Sequence, residues 1–200
     1  MGVPSHAPSP APVWTVIVLP KCTVREWRLD DALSLAQHAN DRRVWLNMRD
    51  AFPHPYTIAD ATAFLGIAVA MQPRTWFAVT VDDRAVGGIG YTRHGDVERI
   101  GAEIGYWLGT AFWGRGIMTA VLQAVTAYAF REHPELRRIY AVPYVTSTAS
   151  AHILEKAGYR LEGRMRQSVI KDGHVLDQFM YAILRDEVPQ EPPRPVEQSA

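Results

Sequence analysis

The chain has 200 residues, 48% hydrophobic and 21% charged, an ordinary globular composition that suits one domain with a sizeable core. Lys plus Arg and Asp plus Glu are both 21, so no global charge draws the protein to nucleic acid or to an acidic membrane. The single cysteine excludes an internal disulfide and a cysteine-rich metal site and makes a reducing cytoplasm the natural compartment, and the scattered histidines lack ligand spacing, so no metal is expected.

Residues 1–13 are rich in Pro, Ala and Ser and lack the basic start and apolar core of a signal peptide, so a disordered tail is expected. Residues 14–19 form an apolar run broken only by Thr15, too short for a bilayer and suited to an edge or leading strand. No segment reads as transmembrane and no internal repeat is visible. Residues 22–28 alternate as a strand, after which Asp30 or Asp31 caps a helix to about Asn40. A short second helix is expected over 42–49. Two prolines stiffen the loop Phe52–Pro53–His54–Pro55–Tyr56, and Thr57 caps a helix to about Met71. Residues 75–81 and 84–93 flank Asp82–Asp83 as a hairpin. Residues 98–109 read as the central strand, followed by a long helix from about Gly116 to Arg131 with Pro134 beyond its end. A strand over 138–145, a helix over 147–157 capped by Gly158, and a hairpin of 159–171 with 174–184 around Asp172–Gly173 complete the pattern. Residues 187–200, rich in Pro and Glu, read as a second loose tail. The expectation is a single domain over 14–186 of the α/β (α+β) class, a mixed sheet of six to seven strands flanked by helices.

The chain is organised around residues 104–119. Ile104 to Leu108 is a mostly buried strand in composition, Gly114 and Gly116 bracket Arg115, and from Ile117 apolar residues recur at helical spacing. A glycine-rich turn opening a helix presents unpaired backbone N–H groups at the positive end of the helix dipole, the makings of a phosphate cradle. Gly-x-Gly alone is weak evidence, often only a tight turn, and matches neither of the two common nucleotide motifs.

Residues 145–159, Val-Thr-Ser-Thr-Ala-Ser-Ala-His-Ile-Leu-Glu-Lys-Ala-Gly-Tyr, resemble the second coenzyme A segment of the GNAT acetyltransferase superfamily. With residues 102–108 (Ala-Glu-Ile-Gly-Tyr-Trp-Leu) and 113–119 (Trp-Gly-Arg-Gly-Ile-Met-Thr), with 23–28 followed by Asp31 and Ala32, and with the loop 52–56, they resemble its RimJ/RimL-type protein N-terminal acetyltransferase branch over roughly residues 20–185. The resemblance implies the GNAT fold, with a splay between two central parallel strands, and acetyl-CoA as co-substrate. It places Tyr106 and Leu108 beside the acetyl end and pantetheine through their backbone. Trp113, Gly114, Arg115, Gly116, Ile117, Met118 and Thr119 would lie around the pyrophosphate, Ser147 beside the pantetheine or diphosphate arm, and Lys156 near the adenosine phosphate, unless Glu155 and Lys156 are only a solvated pair. This chain departs from the family pattern at several positions. Trp113 and Met118 begin and end the turn where Gln or Arg and Gly or Ala are usual, Ser147 stands where Asn is frequent, and Leu154 occupies the position of a tyrosine general acid in many members.

Acetyl transfer to an amine needs a group to take the ammonium proton, a hydroxyl donor for the leaving thiolate and a backbone N–H for the oxyanion. Glu103 is the best base candidate. Strict alternation puts it on the face opposite Tyr106 and Leu108, so that only a bulge would bring it round, and a purely structural or exposed glutamate is the alternative. Ser150, on the first turn of its helix, is the donor candidate, with helix capping as its alternative. Trp45, His54 and Tyr56 are candidates for the acceptor pocket, against a core tryptophan and a rigid surface loop. The expected function is acetyl-CoA-dependent N-acetylation of a primary amine, foremost a protein N-terminus. A small-molecule amine acceptor, a bulkier acyl donor such as succinyl-CoA, and a catalytically silent coenzyme A-binding module remain open. Neither a nucleic-acid nor a membrane partner is expected, and a homodimer is left open.

Overall fold

In a computed structural model, residues 16–188 are described. The expected tail over 1–13 lies outside the described residues, as does the second tail from residue 189 on. Glu187 still belongs to the fold: its carboxylate accepts from the Leu184 N–H at 2.9 Å and pairs with Arg160 at 2.9 Å.

The described chain builds one eight-stranded sheet in the order β1-β2-β3-β4-β5-β6-β8-β7, one strand beyond the expected range. β1 (Val16–Leu19) is an edge strand, as expected for this run, and pairs antiparallel with β2 (Cys22–Glu26). Then come α1 (Ala32–Ala39), α2 (Arg42–Trp45), α3 (Ile58–Ala70), β3 (Trp76–Val81), β4 (Arg84–Arg93), β5 (Gly101–Leu108), α4 (Ile117–Glu132), β6 (Arg138–Ala141), α5 (Thr148–Lys156), β7 (Arg160–Lys171) and β8 (His174–Leu184). Every pairing is antiparallel except that of β5 with β6.

Local chemistry accounts for most boundaries. The two expected hairpins turn through paired positive-φ residues, Asp82 and Asp83 between β3 and β4, Asp172 and Gly173 between β7 and β8, the geometry that matches strand twist. Thr57 caps α3 in a reciprocal box with Asp60. Asp31 does not cap α1 with its side chain. Its carboxylate takes a two-pronged pair from buried Arg25, at 2.7 and 2.8 Å, and a hydrogen bond from the Arg28 N–H, and a charged pair of this kind outweighs a cap.

The sheet has a core on each face. α4 lays Val121, Leu122, Val125 and Ala129 against Ala102, Ile104, Leu108 and Ile139, with Leu154 of α5 beside them. On the other face α1 and α3 cover Trp27, Tyr56, Ala78 and Ala85, with Phe52, Phe64, Trp76 and Trp107 at the edge.

Candidate active site

β5 and β6 pair over only three residues, Gly101 to Glu103 against Arg138 to Tyr140. β6 stops at Ala141, short of the expected 145, because the following chain turns its hydrogen bonds to β8. Pro143 has no N–H to give β5, Phe179 N–H donates to the Pro143 carbonyl at 2.9 Å, and Gln178 Nε2 donates to the Val142 carbonyl at 2.9 Å. β5 runs on alone, which opens the gap. The ladder fixes which groups face it. His94 N–H donates to Gly101 and Gly109 N–H to Val86, so odd-numbered residues of β5 turn their backbone to β4. The N–H and C=O groups of Ile104, Tyr106 and Leu108 therefore point into the gap. The Leu108 carbonyl is already taken, accepting from the Trp113 indole at 2.7 Å.

At the far end of β5 the chain turns through Gly114 (φ 73°) and Gly116 (φ 75°) into α4. A Cβ at either glycine would meet nothing within 4 Å, so the surface above them is open. Gly116 is the N-cap and no side chain caps the helix. The N–H groups of residues 114–119 have no acceptor among the described residues. Lys21 braces the turn through the Arg115 carbonyl at 2.9 Å, and the Arg115 guanidinium lies 5.2 Å from the Phe112 ring centroid. An open concavity of free amides at the start of a sixteen-residue helix has the chemistry to hold phosphate.

A cavity of about 870 Å³ passes through the gap and joins the two faces of the sheet. Tyr106, Ser150 and Leu154 line it on the α4/α5 side, Glu103, Tyr56 and Trp107 on the α1/α3 side. No bulge interrupts the β4–β5 register, so Glu103 does lie opposite Tyr106 as alternation requires. The open gap, not a bulge, places both in one cavity. Across the mouth, Arg49 Nη2 reaches the Glu103 carboxylate at 2.5 Å; the arginine side chain is 71% exposed and the glutamate 27%.

Ser150 is the third residue of α5. The N-cap is Ser147, which makes no side-chain cap bond. Tyr106 Oη donates to the Ser150 carbonyl at 3.3 Å, and burial holds the phenol well above its usual pKa, so it stays protonated. Lys156 is exposed at the last turn of α5. Glu155 accepts from Tyr181 Oη at 2.9 Å instead of pairing with Lys156.

Of the three acceptor-pocket candidates, Tyr56 alone lines the cavity; burial and then Asp60 push its phenol up to about 12. Trp45 and His54 stack on each other at 5.7 Å outside it, and the buried ammonium of Lys171 sits 3.8 Å above the Trp45 ring. Lys171 also reaches Asp50 at 2.8 Å, and Arg42 pairs with Asp172, so this corner fastens the β7–β8 turn to the 42–50 segment. Sequence reasoning missed Arg49, Phe64, Trp76 and the glycines of β4. Gly87, Gly88 and Gly90 within four residues of a strand were the available signal, because strand glycines mark close approach.

Residues 21–160 match the Acetyltransferase (GNAT) domain family. An uncharacterised N-acetyltransferase of Bacillus licheniformis is 28% identical over 170 residues, 84% of this chain and 94% of that protein. The ribosomal-protein-serine acetyltransferase of Escherichia coli K12 is 30% identical over 110 residues, 55% of this chain and 60% of that one. Mycobacterium smegmatis RimJ, solved in complex with CoA-disulfide, superposes with a TM-score of 0.72 at 25% identity, covering 85% of each chain. The splayed strands, the glycine turn and these matches make the chain a member of the GNAT acetyltransferase family, with a ribosomal-protein-serine acetyltransferase and RimJ among the proteins it is similar to.

Proposed function

We propose that the protein transfers an acetyl group from acetyl-CoA to a primary amine, the α-amine of a protein N-terminus. The observation that carries this reading is the cavity through the β5–β6 gap, which brings a carboxylate from one face to unpaired backbone groups and a serine on the other. Coenzyme A would lie with its pyrophosphate over the amides of residues 114–119 and its pantetheine along the free backbone of Tyr106. Ser147 and Lys156 stand further along the same side. The acceptor would enter from the α1/α3 side past Arg49.

The chain's residues then have distinct tasks. The incoming ammonium displaces Arg49 from Glu103, and Glu103 takes its proton, directly or through water. The free amine attacks the thioester carbon, and the proton its nitrogen sheds as the amide forms passes through solvent to the departing thiolate. A backbone N–H in the gap stabilises the oxyanion, and the C–S bond breaks as Ser150 Oγ donates a hydrogen bond to the developing thiolate. Leu154 cannot donate a proton, so departure depends on Ser150 and solvent. A protein as acceptor is supported by the Escherichia coli relative, which is a ribosomal-protein-serine acetyltransferase.

A mass-spectrometric screen of acetyl-CoA and succinyl-CoA against N-terminal peptides and small amines tests the reading. Acetylated peptide is the expected product. Acylation of small amines alone, or a preference for succinyl-CoA, would replace it.

A further inference from the structure

On the α1/α3 face of the sheet, two neighbouring strands present glycine side by side, Gly90 of β4 and Gly105 of β5. Trp76 of β3, Gly90 of β4 and Gly105 of β5 are register partners and so share a face. Gly90 is covered by its neighbour: a Cβ there would lie 2.6 Å from Trp76 Cδ1, so the indole lies across the glycine. One row on, Gly88 is covered in the same way, its Cβ position being 2.8 Å from Trp107 Nε1 and 3.0 Å from Trp27 Cζ2. Gly105 is different. It is exposed although it sits in a central strand, and a Cβ there would meet nothing within 4 Å. The bare floor at Gly105 lies between Glu103 and Trp107, which alternate onto the same face.

The walls of this space are aromatic. Phe64 of α3 stacks on Trp76 at 5.8 Å with an interplanar angle of 6°. Phe52 packs edge-on to Trp107 at 5.7 Å and against Tyr56 at 4.7 Å. These five rings and Glu103 line the same cavity. The other carboxylate lining the cavity, Asp60, is engaged by Thr57 through both its N–H and its hydroxyl.

We infer that this space is an acceptor subsite for a large apolar group, an aryl ring or a long aliphatic side chain, carried next to the attacking amine. Gly105 sets its depth. The inference rests on the proposed reaction for the place of the amine beside Glu103. A methyl or hydroxymethyl group there would leave the rings facing water, whereas a ring on the glycine floor removes apolar surface on both sides. Discrimination between a large and a small group in such a pocket is about ten- to a hundredfold.

The test uses two pairs of acceptors: peptides identical except for Phe or Ala as first residue, and 2-phenylethylamine with ethylamine. In whichever pair is acetylated, the aryl member is expected to show a kcat/KM about tenfold higher or more. Gly105→Val places a strand-compatible branched side chain on the floor and should abolish that preference; Phe64→Ala, on the helix, should weaken it from the opposite wall. Melting curves show that each variant is folded. Binding is read separately, by quenching of tryptophan fluorescence with 2-phenylethylamine and ethylamine, so the subsite is tested even without turnover. Selective quenching by the aryl amine without transfer leaves the subsite standing and removes the proposed reaction. Equal kcat/KM and equal quenching for aryl and small amines overturn the inference. So does an undiminished aryl preference in both folded variants.

Discussion

Replacing Gly116 separates folding from coenzyme A binding. The residue sits at φ 75°, ψ 3° as the N-cap of α4. An L-residue in that left-handed region costs about 1–2 kcal/mol, and no steric cost is added because a Cβ there meets nothing within 4 Å. On a chain of this length the melting temperature should fall by about 2–8 °C, by no more in Gly116→Asp than in Gly116→Ala, since aspartate tolerates the left-handed region better. Affinity should divide the two variants. Alanine only intrudes on open space above the turn. Aspartate adds a negative charge where the pyrophosphate would sit, and two unit charges ~4 Å apart repel by about 1–4 kcal/mol between the limits of bulk water and a protein surface. Coenzyme A should therefore bind roughly five- to several-hundredfold more weakly to Gly116→Asp, with a smaller loss in Gly116→Ala. Isothermal titration with coenzyme A, beside thermal melts of the three proteins, reads both quantities. Wild-type affinity in a folded Gly116→Asp protein would refute the cradle.

Three further outcomes follow from the geometry. Glu103→Gln should lower turnover by roughly two to four powers of ten while acetyl-CoA affinity barely changes; near-normal steady-state turnover would return Glu103 to a structural role. Ser150→Ala should slow turnover by about ten- to a hundredfold, the equivalent of one charge-assisted hydrogen bond of about 1.5–3 kcal/mol. Its melting temperature should hardly move, because Ser147 is the N-cap, so a stability loss with intact turnover would contradict the donor role. His38 is held below its usual pKa of 6.5 by burial and then by Arg84. The folded protein thus binds fewer protons at that site than the unfolded chain, so stability should be full above pH 6.5 and decline as pH falls from there toward the lower folded value. His133, depressed by burial and Arg93, acts with the same sign. Melting curves of His38→Gln should depend less on pH across that window than those of the wild type, and identical dependence would count against the argument.

The order of helices and strands was legible because it rests on local signals. The Thr57 cap, the Asp82–Asp83 and Asp172–Gly173 turns and the apolar face of α4 all act within a few residues. The glycine turn was legible for the same reason: positive φ and a helix start are written in adjacent residues. What escaped depends on contacts made outside the element in question. Asp31 looks like a cap until Arg25 on the neighbouring strand claims it, and β6 looks longer until Gln178 and Phe179 draw its end away from β5. Strict alternation correctly put Glu103 on the far face of β5. That the two faces share one cavity depends on the gap between strands, which no local pattern encodes. Residue type alone leaves Trp45 and His54 between pocket, core and surface-loop roles; Lys171, more than a hundred positions away, makes their corner a fastening for the last hairpin.

The most direct test of the account is the release of coenzyme A thiol from acetyl-CoA, followed with and without an N-terminal peptide, for the wild type and Glu103→Gln. The account predicts little release without peptide, release matched one-to-one by acetylated peptide when it is added, and loss of that coupled release in Glu103→Gln with acetyl-CoA still bound. Peptide-independent release, or coupled release undiminished in Glu103→Gln, would contradict it.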